Sequence, residues 1–381
     1  MTKPNTKRFL SVLMVALQAA VFVSTVSAAE YDDADEQTGI NGAVYTMSNA
    51  TSGNAILRFQ RKSGSALVAT GSFSTGGVGT GGGLGNQGAL ITDQSKRWIY
   101  SVNAGSNDIS VFSVKPEGLV LVDKVPSGGT RPISLTIDRN VLYVLNAGGD
   151  GNISGFTVQR NGHLTAMADS TRTLSGAGTN PAQIGFSPDG GALVVTEKAT
   201  NLIDTYRVDA NGLADGPHVN TSVSATPFGF AFDSRGHLLV SEAVGGAVDA
   251  ASVSSYKIGD DGALEVISSA VADTETAVCW VVVTKNNKYA YVSNAGSGSI
   301  SAYKVARDGS IALRDEDGRT GETGAGSTPL DIAFSSNDRF LYTLNNGTHT
   351  IGAFQVQKNG ALVAVPGASG LPVGTNGLVA Y

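Results

Sequence analysis

The sequence predicts an all-β fold: a seven-bladed β-propeller of four-stranded blades, its ring closed by the C-terminal strand pairing into blade one. Three observations carry this. A hairpin pattern recurs seven times, a short apolar strand precedes six of the copies, and the missing seventh strand stands at the end of the chain.

The hairpin is plainest at residues 288–311, KYAYVSNAGSGSISAYKVARDGSI. Apolar and polar residues alternate up to Asn294, an Ala-Gly-Ser-Gly turn follows, and the alternation resumes through Ile300 and Ala302. Period-two alternation broken by Asn/Gly clusters is the signature of two antiparallel strands and a hairpin. Copies start at Ala43, Trp98, Val141, Ala192, His237 and Phe340. The residue ending the hairpin's first strand is Asn49, Asn103, Asn146, Glu197, Glu242, Asn294 and Asn345 in turn. The spacings are 54, 43, 51, 45, 52 and 51 residues, within the range of propeller repeats and long enough for about four short strands.

The innermost strands are expected at 86–92, 132–138, 181–187, 227–233, 278–284 and 329–335, where small residues suit the crowding at the axis. The first hairpin has none upstream, and TNGLVAY at 375–381 supplies it, which removes the free edges of an open array. Weaker runs such as 119–125, 164–168 and 264–268 are expected as outermost strands.

Residues 1–28 stand apart. Lys3, Lys7 and Arg8 precede an apolar run to Val23, and Val26-Ser27-Ala28 offers a small-residue cleavage site. This predicts a signal peptide and a secreted or periplasmic protein. An acidic tail follows at 29–42, and the propeller occupies 43–381. Removing the three basic residues of the leader takes the net charge from −6 to −9. With no Lys/Arg cluster, nucleic acid and anionic membranes are poor partners. A monomer is expected. The single cysteine, Cys279, forms no intrachain disulfide and is expected as a buried, inert thiol.

The repeats YVSNAGSGSISAYKV and LYVLNAGGDGNISGF, with FSPDG at 186–190, resemble those of the seven-bladed lactonase propellers, over essentially the whole mature chain. That family includes 6-phosphogluconolactonases and carboxymuconate-lactonizing enzymes. The resemblance implies a lactone hydrolase or a lactonizing cyclase without a cofactor. In the lactonizing relatives a Val-Asn-Glu run ends the strand after a Pro-Arg-His run. Here Val195-Thr196-Glu197 matches the first, so the catalytic glutamate carries over to Glu197. The second is replaced by Pro181-Ala182-Gln183, and Arg131-Pro132-Ile133-Ser134 stands where a blade-three histidine is expected. Loss of an arginine able to hold a carboxylate or phosphate bidentately argues against a phosphorylated substrate.

At five of the seven hairpin positions the residue is Asn, which serves the turn and its own backbone. Glu197 and Glu242 depart from this and are read either as an acid/base pair or as exposed loop acids. Near the expected channel mouth stand Gln183, Arg131, Asp331, Trp280 and Gln87. Arg131 would clamp an anion or pair with Asp108 or Asp138. Trp280 would offer a flat platform or pack a blade. Gln183 and Asp331 share the third place in their strands and would line the channel. His163, His218, His237 and His349 lack metal-ligand spacing, so no metal is expected. The glycine-rich run at 79–88 leads into a strand rather than a helix, which excludes a phosphate loop; it is expected to arch over the channel face. Two functions follow: an exported lactonase of small sugar-like or hydroxy-acid lactones, with Glu197 moving the proton, or a non-catalytic propeller binding a glycan, peptide or cell-surface component.

Overall fold

The computed structural model of the chain describes Met1, residues 42–61 and residues 66–381. The expected signal peptide and acidic tail lie outside these, apart from Met1 and Gly42.

Seven antiparallel sheets are arranged in chain order. Blade one joins Ala43–Met47, Ala55–Arg61 and Leu67–Ser74 to the C-terminal Asn376–Ala380. Blade two contains Leu90–Thr92, Trp98–Asn103, Asp108–Lys115 and Gly118–Pro126. Blades four, five and seven repeat this plan from Pro181–Phe186, Pro227–Phe232 and Pro329–Phe334. Blades three and six start at Pro132–Asp138 and Val278–Val283, and their outer strands are interrupted, with Arg172–Thr173 and Gly321–Glu322 completing the edge.

The ring closes as expected. Val44 pairs with Ala380 and Tyr45 with Val379. Main-chain bonds run from Gly42 N to Tyr381 O (3.0 Å) and from Tyr381 N to Ala43 O (2.9 Å). The Tyr381 ring meets Tyr45 edge-on at 5.6 Å, and its hydroxyl lies 3.0 Å from Thr92 Oγ1 in blade two. The last strand thus ties blade one to both itself and its neighbour.

The core is a set of small apolar clusters between blades rather than one centre. A tyrosine at one place in the second strand recurs as Tyr100, Tyr143, Tyr291 and Tyr342, all buried. Its ring fills the gap between blades while its hydroxyl seeks a partner. Tyr143 donates to Gly212 O and Tyr291 to Gly360 O, both at 2.9 Å, so each reaches a turn of the next blade.

Two features place the functional residues. The innermost strands of blades three, four, six and seven carry a bulge one residue in, at Ile133, Ala182, Cys279 and Leu330. A bulge re-aims the residues around it, here at the axis. The second feature is a correction. The strand expected at 86–92 is reduced to Leu90–Thr92, because residues 86–88 leave the sheet and cross the axis.

Candidate active site

All seven inner strands start on the same face, called the upper face here. At the axis its channel is stoppered by the glycine-rich segment 79–88, which does more than arch over the face. Asn49 grips the start of the segment: its Nδ2 donates to Gly82 O (2.6 Å) and its Oδ1 accepts from Thr80 N (3.0 Å). A Cβ at Gly79 would lie 2.2 Å from the Asn49 backbone, so only glycine fits this approach. Further on, Trp280 Nε1 donates to Asn86 O (2.7 Å), and Asn86 Nδ2 donates to Ile133 O. Gln87 spans the ring from blade two to blade six: its Nε2 donates to Val281 O (3.0 Å) and its Oε1 accepts from Val281 N (3.2 Å). Gly229 of blade five makes room for this amide, since a Cβ there would meet Gln87 Oε1 at 2.4 Å.

Ala182 lies against the stopper: its carbonyl accepts from Gln87 N (3.2 Å) and the residue is fully buried.

Glu197 and Glu242 do not lie at the mouth. Both are completely buried, so neither is an exposed loop acid, and each is held by its own set of donors. Glu197 accepts from Ser175 N (3.0 Å), Ser175 Oγ (2.6 Å) and Thr200 Oγ1 (2.6 Å). Glu242 accepts from Ser252 Oγ (2.6 Å), Ser254 Oγ (2.9 Å) and Ser224 N (3.1 Å). Each carboxylate pins the loop entering its blade, where loop and third strand present donors. Asn does the equivalent work elsewhere, through side chains rather than its own backbone: Asn294 donates to Ser299 Oγ (2.9 Å) and Ser301 Oγ (2.8 Å), and Asn345 to Thr350 Oγ1 (3.2 Å). Beside Glu197 stands buried Asp204. Burial and the adjacent Glu197 carboxylate push its pKa up to about 8, so Asp204 holds a proton at neutrality.

Trp280 is also no platform. It is 2 % exposed, backs the stopper and packs on Phe228 at 5.0 Å between centroids. At the mouth stand Arg131, which is exposed, and Lys198 and Phe228, which are half-buried. Arg131 has its backbone held at φ 54° by a bond from its N to Asn107 Oδ1 (2.7 Å). Its two expected acids are taken: Asp108 pairs with Lys124 and Asp138 with Arg139, each at 3.5 Å. Lys198 donates to Gly85 O of the stopper and lies 4.7 Å from the Phe228 centroid. Burial lowers its pKa to about 8; the Cys279 sulfur opposes this and the Arg131 charge adds to it. Neither cation forms an ion pair among the described residues. Two cations without an ion pair among the described residues, close enough that the charge of Arg131 acts on Lys198, make a site for an anion or a developing oxyanion.

Sequence reasoning passed over Lys198 although a signal existed. The residue after the Asn/Glu position is Ala in five repeats, and Lys198 replaces it in blade four. Cys279 behaves as expected: it is 6 % exposed and burial pushes its thiol up to about 12.

Gln183 and Asp331 lie below the stopper and, with Gln87 of the stopper itself, line a well of about 390 Å³ along the inner strands. Gln183 is engaged by blade five, accepting from Phe230 N (2.7 Å) and donating to Phe230 O (3.0 Å). Among the described residues no group of three or more His, Cys, Asp or Glu could hold a metal ion.

Comparison with known proteins agrees with this architecture. The family described as "Lactonase, 7-bladed beta-propeller" matches residues 41–173 and 230–329. A 6-phosphogluconolactonase of Bacillus subtilis is 23% identical over 306 residues, covering 76% of this chain and 86% of the relative. One from Yersinia pseudotuberculosis is 21% identical over 280 residues, covering 71% and 80%. Among solved structures, the periplasmic gluconolactonase of Pseudomonas aeruginosa superposes with a TM-score of 0.66 at 15% identity, covering 87% of this chain and 98% of that one. A protein from Lactobacillus plantarum gives a TM-score of 0.69 at 16% identity, covering 89% and 99%. With more than half its length matched to the family, the chain belongs to the seven-bladed β-propeller lactonases.

Proposed function

We propose that this protein is an exported lactone hydrolase that opens a small sugar-like or hydroxy-acid lactone at the upper mouth. The observation that carries the reading is the pair of unneutralised cations, Arg131 and Lys198, beside the Phe228 ring. Export rests on the basic and then apolar start at Lys3–Val23.

In this reading the ring packs against Phe228 and its carbonyl oxygen points at Arg131. Water attacks the carbonyl carbon and gives its surplus proton to solvent, and Arg131 stabilises the oxyanion that forms. As the bond to the ring oxygen breaks, Lys198 gives that oxygen a proton and recovers one from solvent. An ammonium whose pKa lies near 8 is a better acid at neutrality than an ordinary lysine. The hydroxy-acid anion leaves from the cationic mouth. Enclosed Glu197 serves by fixing the strand end that carries Lys198. These steps use no metal.

The test follows acid release by pH-stat over unphosphorylated aldonolactones, simple γ- and δ-lactones and one phosphorylated aldonolactone. Turnover of an unphosphorylated lactone, falling about a hundredfold in Lys198→Met and in Arg131→Met, is the expected result. Background rates throughout would favour the second reading, a non-catalytic binding propeller, which the enclosure of Glu197 and Glu242 supports.

A further inference from the structure

The lower well is a separate compartment. Gln87 and Gln183 close it above, and both amides are engaged by main chain rather than by Asp331. It follows the inner strands toward their carboxyl ends, with Ile137, Phe186 and Phe232 at the far end. Among the described residues no lysine, arginine or histidine lines it, and Asp331 is its single titratable side chain.

Asp331 sits at the blind end. It is 4 % exposed and makes no ion pair among the described residues. Its hydrogen bonds are with main chain: the Ile332 N–H at 2.8 Å and that of Leu378. Burial, with no charged neighbour acting on it, pushes the carboxyl up to about 8. A buried acid without a counter-ion stays protonated, and one that gains a cation ionises. The walls add acceptors where an inner strand's axial edge lacks a partner strand, although Gln183 and Gln87 take the carbonyls of Phe230 and Val281. A single carboxylate falls short of the several charged oxygens a divalent ion takes, but it matches one ammonium head with its three donors.

We propose that the lower well binds a small primary ammonium ion, its head on the Asp331 carboxylate among the strand carbonyls and its short apolar tail between Ile137, Phe186 and Phe232. The carboxylic acid and the ammonium ion combine to give the ion pair and one released proton. Affinity therefore rises about tenfold per pH unit below the Asp331 pKa and levels off above it.

Isothermal titration of the purified protein with n-butylammonium chloride tests this, in two buffers of different ionisation heat at pH 6.5, with calcium chloride as a second probe. Saturable binding with proton release, lost in Asp331→Asn and kept in Lys198→Met, is the expected result. No saturable heat, equal binding by a folded Asp331→Asn variant, or a preference for calcium would overturn it. If Asp331→Asn does not fold, the wild-type pH series decides: a flat affinity between pH 5.5 and 7.5 overturns the proposal.

Discussion

The two ends of the propeller axis share seven strands and one stopper, yet their chemistry is opposite. Among the described residues, the upper mouth holds Arg131 and Lys198 with no acid paired to them, whereas the lower well holds Asp331 with no base. Neither character belongs to the repeat. Each comes from a residue that breaks it: Lys198 where five blades have Ala, and Asp331 at a position held by Ser134 and Trp280 in blades three and six. Because the blades supply the same strands at every station, a single deviation is enough to set the charge of one end.

Both ends require a closed ring, so the largest effect is expected from deleting residues 371–381. Leu371, Leu378 and Tyr381 are buried, and the strand Asn376–Ala380 supplies blade one's axial pairing. Thermal unfolding of the truncated chain should lose its cooperativity; an unchanged transition would refute closure by this strand. Next in size is a double dissociation. Lys198→Met should abolish lactone turnover and spare butylammonium binding, and Asp331→Asn should do the reverse. Loss of both functions in either single variant would show that the stopper does not separate the compartments.

A smaller effect tests the stopper itself. Gln87→Leu leaves the Val281 N–H and C=O without their side-chain partners, at a cost of about 1–3 kcal/mol in denaturant unfolding. A variant as stable as wild type would mean that this amide does not hold the segment.

A slope with pH gives a separate test. Asp204 has its pKa raised from 3.8 to about 8 when folded. Between about pH 4 and 8 the unfolded chain releases a proton that the folded chain keeps, so stability falls as pH rises and levels off above 8. Asp204→Asn removes this share, and its melting temperature should exceed that of wild type by more at pH 8 than at pH 5. An equal difference at both values would show that Asp204 is ionised in the fold.

The ring was legible because each hairpin announces itself locally, through alternation and an Asn/Gly turn, and because the unmatched strand could only come from the end of the chain. Blade two's inner strand was misread: 86–92 is apolar and short like its counterparts, and only tertiary contacts with Val281, Ala182 and Ile133 show that its first residues cross the axis. Glu197 and Glu242 were visible as departures from Asn, but their enclosure depends on Ser175 and Ser222–Ser224, in loops about twenty residues upstream. Lys198 was visible by the same comparison of repeats, one position further along. Its lowered pKa was not, since burial against Phe228 and Gly85 joins three distant stretches.

The central claim is that the chemistry belongs to the cations of the upper mouth rather than to Glu197. The most direct test is the pH dependence of kcat/KM for the best lactone, corrected for spontaneous hydrolysis, in wild type and Lys198→Met. The account predicts a wild-type rate that falls above about pH 8 as Lys198 loses its proton, and a variant that is slow with no such fall. A variant with the wild-type rate and the same profile would contradict it and return the chemistry to another group.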